Sequence, residues 1–177
     1  AGNYSVIIVD TNDCRLQLSF TISPTQPLAF TMTNIIPTHC NGASTGQATV
    51  LTTGGTSPYT YLWSNGQTTT TASGLGVGSY TVVVTDANGC SDSTSVSITE
   101  PSSISITPVT NMQPTCFGGS NGILSVAVTG GTPGYNYSWS PSGLTTATAT
   151  GLSAGTHTVF VTDANGCSSS LTLTLGQ

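Results

Sequence analysis

Residues Gly78 to Cys90 read GSYTVVVTDANGC, and this stretch decides the fold because the chain carries it three times. It recurs as AGTHTVFVTDANGC from Ala154 to Cys167 and, more divergently, as AGNYSVIIVDTNDC from Ala1 to Cys14. Within each copy alternate residues share a face, Tyr80, Val82 and Val84 on one side and Thr81, Val83 and Thr85 on the other, which is the period of a strand. An Asp-Ala-Asn-Gly turn, Asp-Thr-Asn-Asp in the first copy, then leads into a second alternating run: Val96 and Ile98, Leu171, Leu173 and Leu175, or Leu18, Phe20 and Ile22. The stretch is therefore a β-hairpin. A lone hairpin cannot bury its apolar face, so the copies must be parts of larger sheets.

The interval between copies sets the organisation. Cys14 and Cys90, Cys40 and Cys116, and Trp63 and Trp139 each lie about 76 positions apart. This predicts three segments: 1–27, the closing hairpin of an incomplete repeat; 28–101, a complete repeat; and 102–177, a second complete repeat. Pro24 and Pro27 mark the first linker. Each full repeat reads as six or seven short strands separated by Gly, Pro and Asn-Gly turns, with no sustained helical period. The expected fold is all-β, as tandem immunoglobulin-like β-sandwiches.

Composition narrows the function. The chain of 177 residues has one Lys or Arg in total, Arg15, against six Asp and Glu, and only 4% of its residues are charged. A phosphate backbone could not be neutralised by such a chain, so nucleic acid is excluded as a partner. Ser and Thr make up about a third of the residues, and a weakly charged hydroxyl surface calls for further solvation, for which attached glycans are the candidate. Five cysteines without a CxxC pair favour disulfides in an oxidising compartment over zinc. No stretch has the length and apolarity of a membrane span.

The runs GGTSPYTYLWSNGQTTTTASGLGVGSYTVVVTDANGC and GGTPGYNYSWSPSGLTTATATGLSAGTHTVFVTDANGC resemble the SprB repeat of large surface adhesins of gliding bacteria, through their YxYxWS and GxYTVxVTDxNGC parts. The first copy departs from the pattern at Ile8-Val9-Asp10 and Asp13. More distantly, the Trp strand and the following strand are similar to polycystic-kidney-disease (PKD) domains, which are immunoglobulin-like. The resemblance implies an exported array module without catalytic residues, extracellular on a cell surface or in a secreted filament. Two functions follow as expectations: a structural adhesin stalk or filament, or a carbohydrate- or protein-binding accessory module of a secreted protein.

Asp86, Asn88, Asp163 and Asn165 have oxygens at alternate positions that suit calcium, but no closing Glu follows, and the preferred reading is a hairpin turn in which Asp is the cap and Asn-Gly takes the left-handed conformation. Tyr59, Tyr61 and Trp63, with Tyr135, Tyr137 and Trp139, could stack sugars; the opposite face, Thr60, Leu62 and Ser64 in one unit and Asn136, Ser138 and Ser140 in the other, is the more polar and assigns them to the core. His39 and His157 have no partners that would complete a catalytic triad, and His157 replaces Tyr4 and Tyr80 at one repeat position. No enzyme activity and no cofactor are expected. Repeat symmetry pairs Cys40 with Cys90 and Cys116 with Cys167, closing loops worth roughly 4 kcal/mol each, with the partner of Cys14 outside the chain. A rival scheme joins Cys14 to Cys40 and Cys90 to Cys116.

Ser93 in Asp92-Ser93-Thr94 resembles the O-glycan acceptor of gliding-group bacteria, the Thr68 to Thr71 run is a second position, and Asn3 and Asn136 open N-glycosylation triplets. Finally, the orphan first hairpin suggests that the chain continues in a longer repeat protein or associates head to tail with copies of itself.

Overall fold

A computed structural model describes residues 1–23 and 26–176. It is all-β. The chain opens with a hairpin of β1 (Gly2–Val9) and β2 (Arg15–Ile22), in which Tyr4 faces Phe20, Val6 faces Leu18 and Ile8 faces Leu16. The expected linker position Pro24 lies outside the described residues.

Six strands follow: β3 (Ala29–Ile36), β4 (Gly46–Thr53), β5 (Thr60–Trp63), β6 (Thr71–Leu75), β7 (Gly78–Thr85) and β8 (Ser91–Ile98). They form two three-stranded antiparallel sheets, ordered β3-β4-β6 and β5-β7-β8. The same plan repeats in β9 (Ser105–Met112), β10 (Gly122–Thr129), β11 (Asn136–Ser140), β12 (Thr148–Leu152), β13 (Gly155–Thr162) and β14 (Ser168–Leu175), ordered β9-β10-β12 and β11-β13-β14. Labelled in immunoglobulin order the sheets are A-B-E and C-F-G, the constant-type arrangement without its D strand. The expected immunoglobulin-like sandwich is therefore present twice, with six strands in each copy.

Alternation explains the cores. Val82 and Val84 pair with Trp63 and Tyr61 across β7 and β5, so these side chains share the inner face. Opposite them the A-B-E sheet presents Ala48, Val50, Ala72 and Leu75, all almost wholly buried. In the second sandwich Leu124, Val126, Ala149, Leu152, Trp139, Val159, Val161 and Leu175 form the equivalent cluster. Each indole N–H is satisfied: Trp63 Nε1 donates to Thr69 O at 2.8 Å and Trp139 Nε1 to Thr146 O at 2.9 Å. Tyr59, Tyr61, Tyr135 and Tyr137 pack partly buried against the two clusters. The aromatic stripes are core, as their alternation predicts.

Strand direction fixes which loops share an end. β3 runs towards the loop 37–45, and β7 runs away from that end to the turn 86–90. The A-B loop and the F-G turn of one sandwich thus lie at opposite poles. The A-B loop stays with the outgoing chain: Thr38 N donates to Thr99 O at 3.0 Å, Asn41 Nδ2 to Pro101 O at 3.1 Å and Gly42 N to Glu100 Oε2 at 2.7 Å.

Candidate functional site at the joint between the sandwiches

The A-B loop of the first sandwich meets the F-G turn of the second, and Cys40 is bonded there to Cys167, with Cα atoms 5.6 Å apart. Neither expected scheme is found. Cys40 does not pair with Cys90, nor Cys116 with Cys167, because within one sandwich the two positions are at opposite poles. The rival pairs are absent as well, since Cys14, Cys90 and Cys116 are free and exposed. The bond instead joins the bottom of one unit to the top of the next.

The F-G turn is built on its aspartate. Asp163 Oδ1 accepts the amides of Asn165 and Cys167, both at 2.9 Å, and Oδ2 accepts Thr132 N at 2.8 Å from the B-C loop. These amides, Thr132 foremost, outweigh the cost of burial and hold the carboxyl below the usual carboxylate range. Gly131 (φ 62°) allows the approach, for a Cβ there would meet Asp163 Oδ2 at 2.8 Å. At Asp86 burial pushes the pKa up, but amides of Thr56, Cys90 and Asn88 together pull it lower still.

The side chain of Asn165 closes the joint. Its Nδ2 donates to Thr132 Oγ1 at 2.9 Å within its own sandwich and to His39 O at 3.2 Å in the first. Cys167 Sγ lies 3.3 Å from the same carbonyl. An open cleft of about 420 Å³ beside the bond is lined by Cys40, Asn41, Pro101, Ser102, Asp163 and Cys167, among others.

Other positions singled out in the sequence fall elsewhere. In Asp86 and Asp163 both carboxylate oxygens are engaged by backbone amides, and Asn88 Nδ2 donates to Thr56 Oγ1 at 2.9 Å, so these calcium candidates act as turn caps. Among the described residues no three His, Cys, Asp or Glu side chains cluster in a way that could hold a metal. His157 is buried and donates from Nε2 to Ser153 O at 2.9 Å, repeating the contact of Tyr80 Oη with Gly76 O, while its Nδ1 has no partner. His39 is exposed, and its backbone is what serves the joint. Ser93 lies exposed on β8 opposite Val83, on the outward face.

Sequence reasoning missed the roles of His39 O, Asn41, Glu100 and Asn165. The available signal was a third symmetric cysteine scheme, in which each A-B loop pairs with the F-G turn of the following repeat.

The SprB repeat model matches residues 32–68 and 103–144. The matched segments take in most of β3 and β9, the cysteine loops and the Trp strands, and end before the TVxVTDANGC hairpins. No curated protein matches the sequence. Among solved structures, the three N-terminal domains of the highly immunogenic outer capsid protein of bacteriophage RB49 are 17% identical, with 85% of this chain and 58% of that one covered and a TM-score of 0.49. A C-terminal fragment of intimin, in complex with the intimin-binding domain of the translocated intimin receptor, is 13% identical, with 99% and 57% covered and a TM-score of 0.40. This chain thus spans less than two thirds of either. The SprB repeat model thus matches one segment within each of the two sandwiches.

Proposed function

We propose that this chain is a structural segment of an extracellular bacterial repeat protein, in which sandwiches stacked end to end build an adhesin stalk or filament. The observation that carries the reading is the joint at Cys40 and Cys167, where two units with separate cores are tied pole to pole. Such a tie serves an element that must keep its length and direction, and adds nothing to a single binding module. A disulfide suits an oxidising exterior, and the SprB match agrees with a cell-surface setting. Exposed hydroxyls such as Ser93 are positions for covalently attached glycans, which would solvate a surface with so little charge.

Antibodies raised against the chain are expected to label intact cells along fibres or stalks. Label confined to broken cells would overturn the proposal, and so would selective retention of the chain on a glycan array without any fibre. An intact mass of the native protein equal to that of its sequence would remove the glycan coat.

A further inference from the structure

The joint between the sandwiches has two halves, and each half occurs again, open, elsewhere in the chain. Cys116 occupies the A-B loop position of the second sandwich that Cys40 holds in the first. The loops share their conformation. Gly42 and Gly118 have φ of 73° and 76°. Ala43 N donates to Cys40 O as Gly119 N does to Cys116 O, and His39 N is held by Thr45 Oγ1 as Thr115 N is by Asn121 Oδ1, both at 3.0 Å. Phe117, which follows Cys116 where Asn41 follows Cys40, is 93% exposed, an apolar ring at the open pole.

The other half recurs at Cys90. Its turn copies that of Cys167 atom for atom: Asp86 Oδ1 accepts Asn88 N and Cys90 N, Oδ2 accepts Thr56 N, and Asn88 Nδ2 is steered by Thr56 Oγ1 at 2.9 Å. In the closed joint the equivalent Asn165 is the side chain that reaches the partner loop. The turn at Cys14 keeps the aspartate cap, with Asp10 Oδ1 on Asn12 N and Cys14 N, but has no B-C loop threonine to orient Asn12. Cys90 is therefore the full match to Cys167.

We infer that Cys116 of one copy and Cys90 of a second copy form an intermolecular disulfide joint that reproduces Cys40–Cys167. Within one chain the two positions lie at opposite ends of the pair of sandwiches, so the bond has to be made between chains. It is a heterologous contact that propagates head to tail. This rests on the stacked-repeat reading above and adds the residues that link one chain to the next. The oxidant is a small-molecule disulfide such as oxidised glutathione. The Cys116 thiolate attacks it, forms a mixed disulfide and releases one thiol; the Cys90 thiolate of the second copy then attacks Cys116 Sγ and releases the other. Two protein thiols are oxidised and one disulfide is reduced to two thiols.

The test uses the full chain carrying C14S, in two forms, one with C116S added and one with C90S added, each exposed to oxidised glutathione. Each form alone is expected to stay monomeric, at 17.8 kDa plus any bound glutathione, and the mixture to give a dimer of twice the chain mass, with a single cross-linked peptide joining Cys116 to Cys90. Dimers formed by either variant alone would mean unselective coupling of exposed thiols and would overturn the inference, as would a mixture that stays monomeric. In the chain retaining Cys14, a Cys116–Cys14 peptide in place of Cys116–Cys90 would also overturn it. If the mixture stays monomeric while the reduced chain still forms rods by electron microscopy, this joint falls and the stacked-repeat function stands. Absence of both the bond and the rods removes both.

Discussion

Cys40 is bonded to Cys167 across 127 residues of sequence and not to Cys90 in its own sandwich. The separation is long only along the chain. An A-B loop and the next unit's F-G turn face each other whenever two sandwiches stack pole to pole, so the bond reports stacking, whereas a bond inside one unit would report nothing about its neighbour.

Removing the bond should loosen the joint and leave the cores in place. For C167S, loop-closure entropy predicts a loss of up to about 5 kcal/mol against unfolding, read as an earlier denaturant midpoint. Near-UV dichroism of the native state should be unchanged. Small-angle scattering should show a broader range of distances between the units.

Stability should fall in acid. Asp86 and Asp163 are both held below the ordinary carboxylate value of 3.8 in the folded chain. Their contribution is complete above the unfolded value and is lost as pH drops through 3.8 towards the depressed native values. Denaturant midpoints measured from pH 6 downwards should be flat at first and then decline. D86N and D163N should each flatten part of that decline.

Each core holds its own tryptophan, so damage should stay local. Trp63→Ala removes a buried side chain and is expected to cost about 3–5 kcal/mol, borne by the first sandwich. The remaining fluorescence, from Trp139, should keep its buried emission after the first unit has melted. Loss of that Trp139 emission in the same transition as the far-UV dichroism of the first unit would show that the units fold as one.

His157 offers a substitution in the stabilising direction. Its Nδ1 is buried without a partner, and tyrosine at the equivalent position places a hydroxyl on the equivalent carbonyl. H157Y is expected to gain about 1 kcal/mol by removing the unsatisfied atom, seen as a higher midpoint for the second sandwich.

The first hairpin should exchange its amides faster than its two counterparts. Tyr4, Val6, Ile8, Leu18 and Phe20 are all about half exposed, whereas Val82, Val84, Val159 and Val161 at the matching face are buried. Two strands without a covered face are marginal in water. Hydrogen exchange should show low protection in residues 2–22 and high protection in β7 and β13.

Much of this protein was legible in the sequence for a plain reason: period-two alternation, turn residues and a repeat of about 76 positions are local signals. Tyr59, Tyr61 and Trp63 could be assigned to the core because Thr60, Leu62 and Ser64 alternate with them, and the strand count followed from the Gly and Asn-Gly turns. The aspartate caps were readable too, since their amide donors lie within a few residues, apart from Thr56 and Thr132. The cysteine pairing was not readable. Repeat symmetry constrains which positions are equivalent, but equivalence is satisfied equally by pairing within a unit, across a boundary or with the next unit over. Only the tertiary structure chose among these, because the course of β3 and β7 sends Cys40 and Cys90 to opposite poles, and the stacking of the second sandwich on the first brings Cys167, Asn165 and His39 O together.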